Sequence, residues 1–136
     1  MTIRLLLALL ALIFAVPAAA ADKVASASSP GGVLTVDITI NGEGRVGYAV
    51  SRLGKPVVGE SHVGFLFADA PQMLRNFRMT GETRRSFDDT WEQSWGEWRA
   101  VRDNYNELAV GFEEKTKLKR RMTLVFRIYD NGVGFR

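Results

Sequence analysis

The sequence has no cysteine and only one histidine among its 136 residues. Without thiols there is no disulfide framework, no thiolate nucleophile and no cysteine-ligated metal, so the fold has to rest on a hydrophobic core. The one histidine, His62, stands between Ser61 and Val63. A metal centre needs several convergent ligands, and a hydrolase triad needs a nucleophile and an acid around the imidazole. Neither pattern surrounds His62, which reads as structural or solvated. Charge of one sign is also scarce: the formal net charge is +3, too mild a surplus to propose nucleic acid as a partner. Past the first 21 residues no segment keeps helical periodicity for ten residues, and there is no tandem repeat.

The chain opens on a segment that does not belong to the fold. Arg4 gives a short positive start, Leu5–Val16 is an unbroken apolar run, Pro17 breaks it, and Ala18–Ala21 supplies small residues. That is the grammar of a secretory signal, with cleavage expected after Ala20 or Ala21. The run of roughly twelve residues is short of the ~20 needed to span a bilayer, so a stable membrane anchor is not expected. The remaining chain, about 115 residues, suffices for one domain and not for two. An exported, periplasmic or secreted, globular domain is the expectation.

Residues 22–32 end in SASSPGG and read as a flexible lead-in. The period then becomes two. In Val33–Ile40, Leu34, Val36, Ile38 and Ile40 alternate with Thr35, Asp37 and Thr39, the pattern of a half-buried strand. Asn41–Gly44 is a turn, and Arg45–Arg52 completes a hairpin. After a turn at Leu53–Pro56, a strand is expected over Val63–Ala68, and edge strands and turns over Asn76–Asp88. Leu108–Phe112 and Met122–Ile128 alternate cleanly around a charged hairpin loop, and Asp130-Asn131-Gly132 turns the chain into Val133–Arg136. Short alternating runs between turn residues indicate an all-β, antiparallel β-sandwich, with residues 33–136 as its extent. The chain stops inside an alternating strand, and an unpaired strand end leaves backbone groups unsatisfied, so the domain is expected to be truncated at its C-terminus.

Costly side chains accumulate in one place, Thr90–Leu108, which holds Trp91, Trp95 and Trp98 among Glu92, Glu97, Arg99, Arg102, Asp103, Asn104, Tyr105 and Glu107. An indole carries a large apolar face and one N–H that needs a partner when buried. Two readings stand: an aromatic plug ringed by ion pairs, or a surface that stacks on a flat ligand such as a sugar. The candidate carbohydrate-binding or domain-interface residues are Trp91, Trp95, Glu97, Trp98, Arg102 and Asn104. Burial of Trp95 and Arg102, inside the sandwich or against another domain, is expected, with Glu97 or Glu107 as the partner of Arg102. Paired carboxylates run glycoside hydrolysis, but Arg99 and Arg102 sit between these acids and favour ordinary ion pairs. Gly42-Glu43-Gly44 lies between strands, where a phosphate cradle has no helix N-terminus behind it. Lys117, Lys119, Arg120 and Arg121 read as a solvated hairpin. No residue is assigned a catalytic or metal-binding role.

Several blocks resemble glycoside hydrolase family 97. They are Ser29–Val36, Gly44–Val50 with Gly54–Val58, Trp91–Glu97 with Val101–Leu108, and Leu124–Arg136. The resemblance implies exported α-glucosidases or α-galactosidases in three parts. An N-terminal β-supersandwich, similar to the galactose-mutarotase fold, precedes a catalytic (β/α)8 barrel and a small β-domain. It further implies calcium at the full-length active site and catalytic glutamates in the barrel, and the N-domain's calcium-binding glutamate is expected beyond Arg136. Calcium is therefore not expected on this chain. The implied partners are the barrel in cis and, through the full-length protein, an α-linked glucoside or galactoside oligosaccharide. The role implied is non-catalytic, shaping the carbohydrate pocket and packing on the barrel. The alternatives are a free-standing secreted carbohydrate-binding β-domain, or a secreted structural or interaction domain.

Overall fold

The computed structural model describes residues 21–136; the expected signal segment lies outside the described residues. Eight strands are present: β1 (Asp22–Ser28), β2 (Leu34–Ile40), β3 (Val46–Arg52), β4 (Lys55–His62), β5 (Phe77–Glu92), β6 (Ala100–Glu114), β7 (Arg121–Ile128) and β8 (Val133–Phe135). They form two antiparallel four-stranded sheets, in the orders β1-β2-β3-β4 and β5-β6-β7-β8. The period-two runs face inward as read. Leu34, Val36, Ile38, Val46 and Val50 of the first sheet meet Leu108, Val110, Phe112, Met122, Leu124, Phe126 and Ile128 of the second. The fold is the expected all-β antiparallel sandwich.

Three local expectations are corrected. Most of the lead-in is a strand: β1 pairs along β2 from Asp22↔Ile40 to Ser28↔Thr35. Its small polar residues are held by β2, with Ser26 Oγ donating to Asp37 Oδ1 at 2.6 Å and the Ser28 and Thr35 hydroxyls 2.8 Å apart. This strand is specified by its partner rather than by its own propensity. Only the turn after Ser28 remains irregular, and the buried Ser29 closes it by accepting the Val33 and Leu34 amides.

The strand expected over Val63–Ala68 lies earlier, at β4. Leu53 and Gly54 both take positive φ, 48° and 78°, so a two-residue turn lets pairing restart at once with Arg52↔Lys55. By Gly47↔His62 the partner strand is used up, and the following residues cross between sheets with one isolated bridge, Phe65↔Met73. The weakly alternating Asn76–Asp88 stretch belongs to the single sixteen-residue strand β5, paired with β6 from Phe77↔Glu114 to Glu92↔Ala100. Within β5 only Phe77 is buried, so there was no alternation for the sequence to display.

Arg120 ties the middle of the crossing segment 63–76 to the second sheet. Arg120 forms a bidentate pair with Glu114, at 2.7 and 2.8 Å, and donates to the Pro71 and Gln72 carbonyls at 2.7 and 3.0 Å. The Glu114 side chain is only 3% exposed.

Candidate functional site

β5 and β6 run further than their neighbours. β7 stops pairing at Asn106↔Ile128, whereas β5 and β6 continue together from Ser86↔Asn106 to Glu92↔Ala100. The tryptophan stretch is therefore the outer half of a two-stranded arm that projects past the sheet. A lone two-stranded ribbon is marginal in water, and side chains on both faces support this one. On its outer face Phe87 stacks on Tyr105 with centroids 5.2 Å apart, Tyr129 packs at 5.2 Å, and the Arg127 guanidinium lies 4.8 Å from the Tyr105 ring. On the other face Asn106 and Arg84 donate to the Ser28 and Ser26 carbonyls of β1 at 2.8 and 2.7 Å.

Arg102 is not buried beside Glu97 or Glu107. It forms a bidentate pair with Asp88 across the arm, at 2.7 and 2.6 Å, and its side chain is 63% exposed. The Arg102 hydrogen bonds hold the Asp88 carboxyl below its usual range. Sequence spacing could not show this partner, because it depends on the β5–β6 register. Glu107 is taken by Arg127 at 3.2 Å and Glu92 by Arg99 at 3.4 Å, so of the ion pairs expected within the stretch only Glu92–Arg99 forms, and Arg102 and Glu107 find partners outside it. Among the described residues Glu97 has no cation within ion-pair distance.

The structure divides the six candidates into two groups. Trp91, Arg102 and Asn104 come together, with Asp103, in a notch of about 650 Å³ left where β7 ends and β6 carries on. Tyr129, Asp130 and Asn131 form its floor. None of the three is a candidate from sequence: Asp130 and Asn131 read as a turn, and Tyr129 falls between that turn and the strand before it. Burial and the neighbouring Asp103 carboxylate raise the Tyr129 phenol above its ordinary range. The notch follows the edge of β6, so its lining comes from both faces of the arm: Trp91 and Asp103 from the face that carries Tyr105, and Arg102 and Asn104 from the opposite one.

Trp95, Glu97 and Trp98 sit elsewhere, in the loop at the tip of the arm. Trp95 is 86% and Trp98 73% exposed, so the expected burial within the sandwich does not occur. This loop has defined internal bonds. The Gln93 amide donates to the Arg99 carbonyl at 2.9 Å, its side chain donates to the Trp98 carbonyl at 2.6 Å, and Gly96 takes φ +121°. Gln93 thus closes the backbone of the tip across residues 93–99, between which the two tryptophans sit. Among the described residues no two indoles stack on one another, and no three His, Asp or Glu side chains converge as metal ligands.

Comparison with known proteins agrees with this architecture. Residues 27–136 match the family model described as glycosyl-hydrolase 97 N-terminal. A retaining alpha-galactosidase of Bacteroides thetaiotaomicron is 25% identical over 116 residues, covering 85% of this chain and 16% of that protein. A family 97 enzyme from Pseudoalteromonas sp. strain K8, solved with acarbose, superposes with a TM-score of 0.78 at 30% identity, covering 82% of this chain and 17% of that one. A variant of a family 97 enzyme from the same strain, solved with panose, gives a TM-score of 0.77. A beta-arabinopyranosidase shares the fold at 23% identity and a TM-score of 0.73. The chain spans about one sixth of the length of these relatives. With residues 27–136, most of the chain, matched by that model, the chain belongs to the glycosyl-hydrolase 97 N-terminal family.

Proposed function

We propose that this domain is the non-catalytic N-terminal β-sandwich of an exported α-glycosidase of the α-glucosidase or α-galactosidase type. It shapes one wall of the carbohydrate pocket and packs on a (β/α)8 barrel of the same polypeptide. The observation that carries the reading is the arm itself. It leaves the sandwich with its apolar weight at the far end, Trp95 and Trp98, in a loop whose backbone Gln93 closes and with both indoles largely exposed. An indole pair presented this way fits the anchor residues of an interface, where tryptophan is enriched. Behind the tip, the notch along the β6 edge, where Trp91 and Tyr129 lie on one side of the arm and Arg102 and Asn104 on the other, is the part offered to sugar.

The chemistry of bond cleavage is assigned to the barrel. Within this chain Asp88, Glu92 and Glu107 are each engaged by an arginine, which suits an anion and not a proton donor. Calcium, if the full-length enzyme holds it at the active site, takes its ligands outside the described residues. The test is turnover of aryl α-glucosides and α-galactosides with calcium present. The polypeptide from the complete reading frame is expected to turn one of them over, and the 136-residue chain neither. Absence of α-glycosidase activity in the former would contradict the reading, as would calcium-dependent turnover by the latter that is lost in Glu92→Gln or Glu97→Gln. Export predicts a mature N-terminus at Ala21 or Asp22 by mass spectrometry; an intact Met1 on exported protein would contradict it.

The notch favours a second reading, a free-standing carbohydrate-binding domain. In that case the 136-residue chain alone binds maltose at millimolar concentration or better, and Trp91→Ala abolishes the binding without changing the melting temperature.

A further inference from the structure

Across the first sheet, Thr39 of β2 pairs with Gly47 of β3, and Gly47 with His62 of β4. Direct cross-strand partners share a face. Val46 and Val50 of β3 point into the core, so Gly47 and its two partners lie on the outside of the sandwich. Glu60 joins them through a bulge. Between Tyr48↔Ser61 and Val50↔Val58 the edge strand β4 carries one residue more than β3, a device that re-aims a side chain. The Thr39 hydroxyl donates to Glu60 Oε1 at 2.9 Å, from two strands away.

Gly47 is where these groups meet. Its φ is not positive, so the conformational freedom of glycine goes unused, and a glycine inside a strand often marks a place where something approaches closely. What it supplies is space. A Cβ at Gly47 would lie 2.8 Å from Thr39 Oγ1, 3.1 Å from His62 Nδ1 and 3.3 Å from Glu60 Oε1. Three donor atoms thus surround one point, and one of them belongs to the chain's single histidine. Among the described residues no lysine or arginine pairs with Glu60, while the neighbouring Lys23 is taken by Asp37 at 3.3 Å. The carboxylate therefore faces the imidazole with its charge uncompensated.

We propose that Glu60 and His62, above Gly47, form a binding site for a divalent transition-metal ion of the Zn2+ class. An imidazole nitrogen beside a carboxylate suits Zn2+, Ni2+ or Cu2+, whereas Ca2+ and Mg2+ take oxygen ligands. His62 Nδ1 and the Glu60 carboxylate are the ligands. Thr39 is a positioning residue, its hydroxyl holding the carboxylate over the glycine, and water completes the coordination as in open sites. Ligand distances for such ions are about 2.0–2.2 Å, so the two side chains close by roughly 1 Å. Both are exposed on β4 and free to do so. The ion would bind only the folded, bulged form of the edge strand, and so stabilise it.

Titration of the 136-residue chain with Zn2+ alone tests this without enzymatic activity, so it fails or succeeds independently of the sugar-pocket reading. With one histidine in the chain, one imidazole C2–H resonance reports the site, and calorimetry gives the affinity. Zn2+ is expected to shift that resonance and to raise the melting temperature, and Ca2+ at the same concentration to do neither. Glu60→Gln should weaken Zn2+ binding tenfold or more by removing a charged ligand. Gly47→Ala should do the same by filling the space while leaving both ligands in place. A resonance unmoved by Zn2+ would overturn the assignment. So would an affinity unchanged in Glu60→Gln, which would leave His62 an ordinary surface imidazole. An equal response to Ca2+ would overturn the class of ion. If Gly47→Ala does not fold, Glu60→Gln, at an exposed position of an edge strand, decides the matter.

Discussion

Among single residues, exposure separates side chains that hold this fold from those held out for something else. Phe126 is fully buried, whereas Trp95 is 86% exposed. Phe126→Ala should cost about 3–5 kcal/mol through lost burial and the cavity left behind. Trp95→Ala and Arg102→Ala should leave the melting temperature of the isolated chain within about 2 °C of the parent. A large loss in either exposed variant, measured by thermal denaturation, would show that the arm is part of the core. The tryptophans were legible as the costly residues of the chain, but their direction was not. Residue type records that an indole needs an apolar partner, not whether that partner lies in the same domain.

Glu114 shows a constraint the sequence hid entirely. Its hydrogen bonds from Arg120 hold its carboxyl below the usual range, and Arg78 and Arg121 do the same for Glu113. A carboxylate whose folded pKa is depressed contributes stability above its unfolded pKa, about 4.5, and loses it as pH falls through the folded value. The melting temperature should therefore fall on acidification from about pH 5 to pH 3, and less steeply in Glu114→Gln. An acid limb of unchanged slope in that variant would remove Glu114 from the explanation. Lys117, Lys119, Arg120 and Arg121 read from sequence as a solvated hairpin, and Arg120 departs from that because it joins the buried Glu114 to the distant 63–76 crossing.

At the level of elements, legibility followed burial on one face. β2, β3, β6 and β7 each put alternate residues into the core, so period two was written in their sequences. β1 and β5 were missed or fragmented because most of their side chains stay out of the core, and their existence depends on register with a neighbour. The arm tip depends on backbone conformation as well. A Cβ at Gly96 would lie 2.7 Å from the Gln93 side-chain nitrogen, on a backbone with φ +121°. Gly96→Ala should loosen the tip and speed amide exchange over residues 93–99 by tenfold or more, leaving β6 and β7 unaffected. Unchanged exchange there would mean that the tip is not held by this turn. Asp130 and Asn131 carry no sequence signal beyond a turn and Tyr129 none at all, and they line the notch only because β7 stops where β6 continues.

For the whole molecule, the family and the sandwich were legible, while the division of the tryptophan stretch into a notch and a tip required the three-dimensional register. On the function proposed above, the arm tip docks on a catalytic domain of the same polypeptide. Acrylamide quenching of tryptophan fluorescence tests it most directly, with Trp91→Phe introduced so that, within this chain, only Trp95 and Trp98 report. In the 136-residue chain both indoles should be quenched almost as readily as free tryptophan, in keeping with their exposure. In the polypeptide of the complete reading frame, comparison with a further Trp95→Phe, Trp98→Phe variant isolates their signal. That signal should be blue-shifted and quenched several-fold less. Quenching of the two indoles as ready in the long polypeptide as in the short one would contradict the docking of the arm.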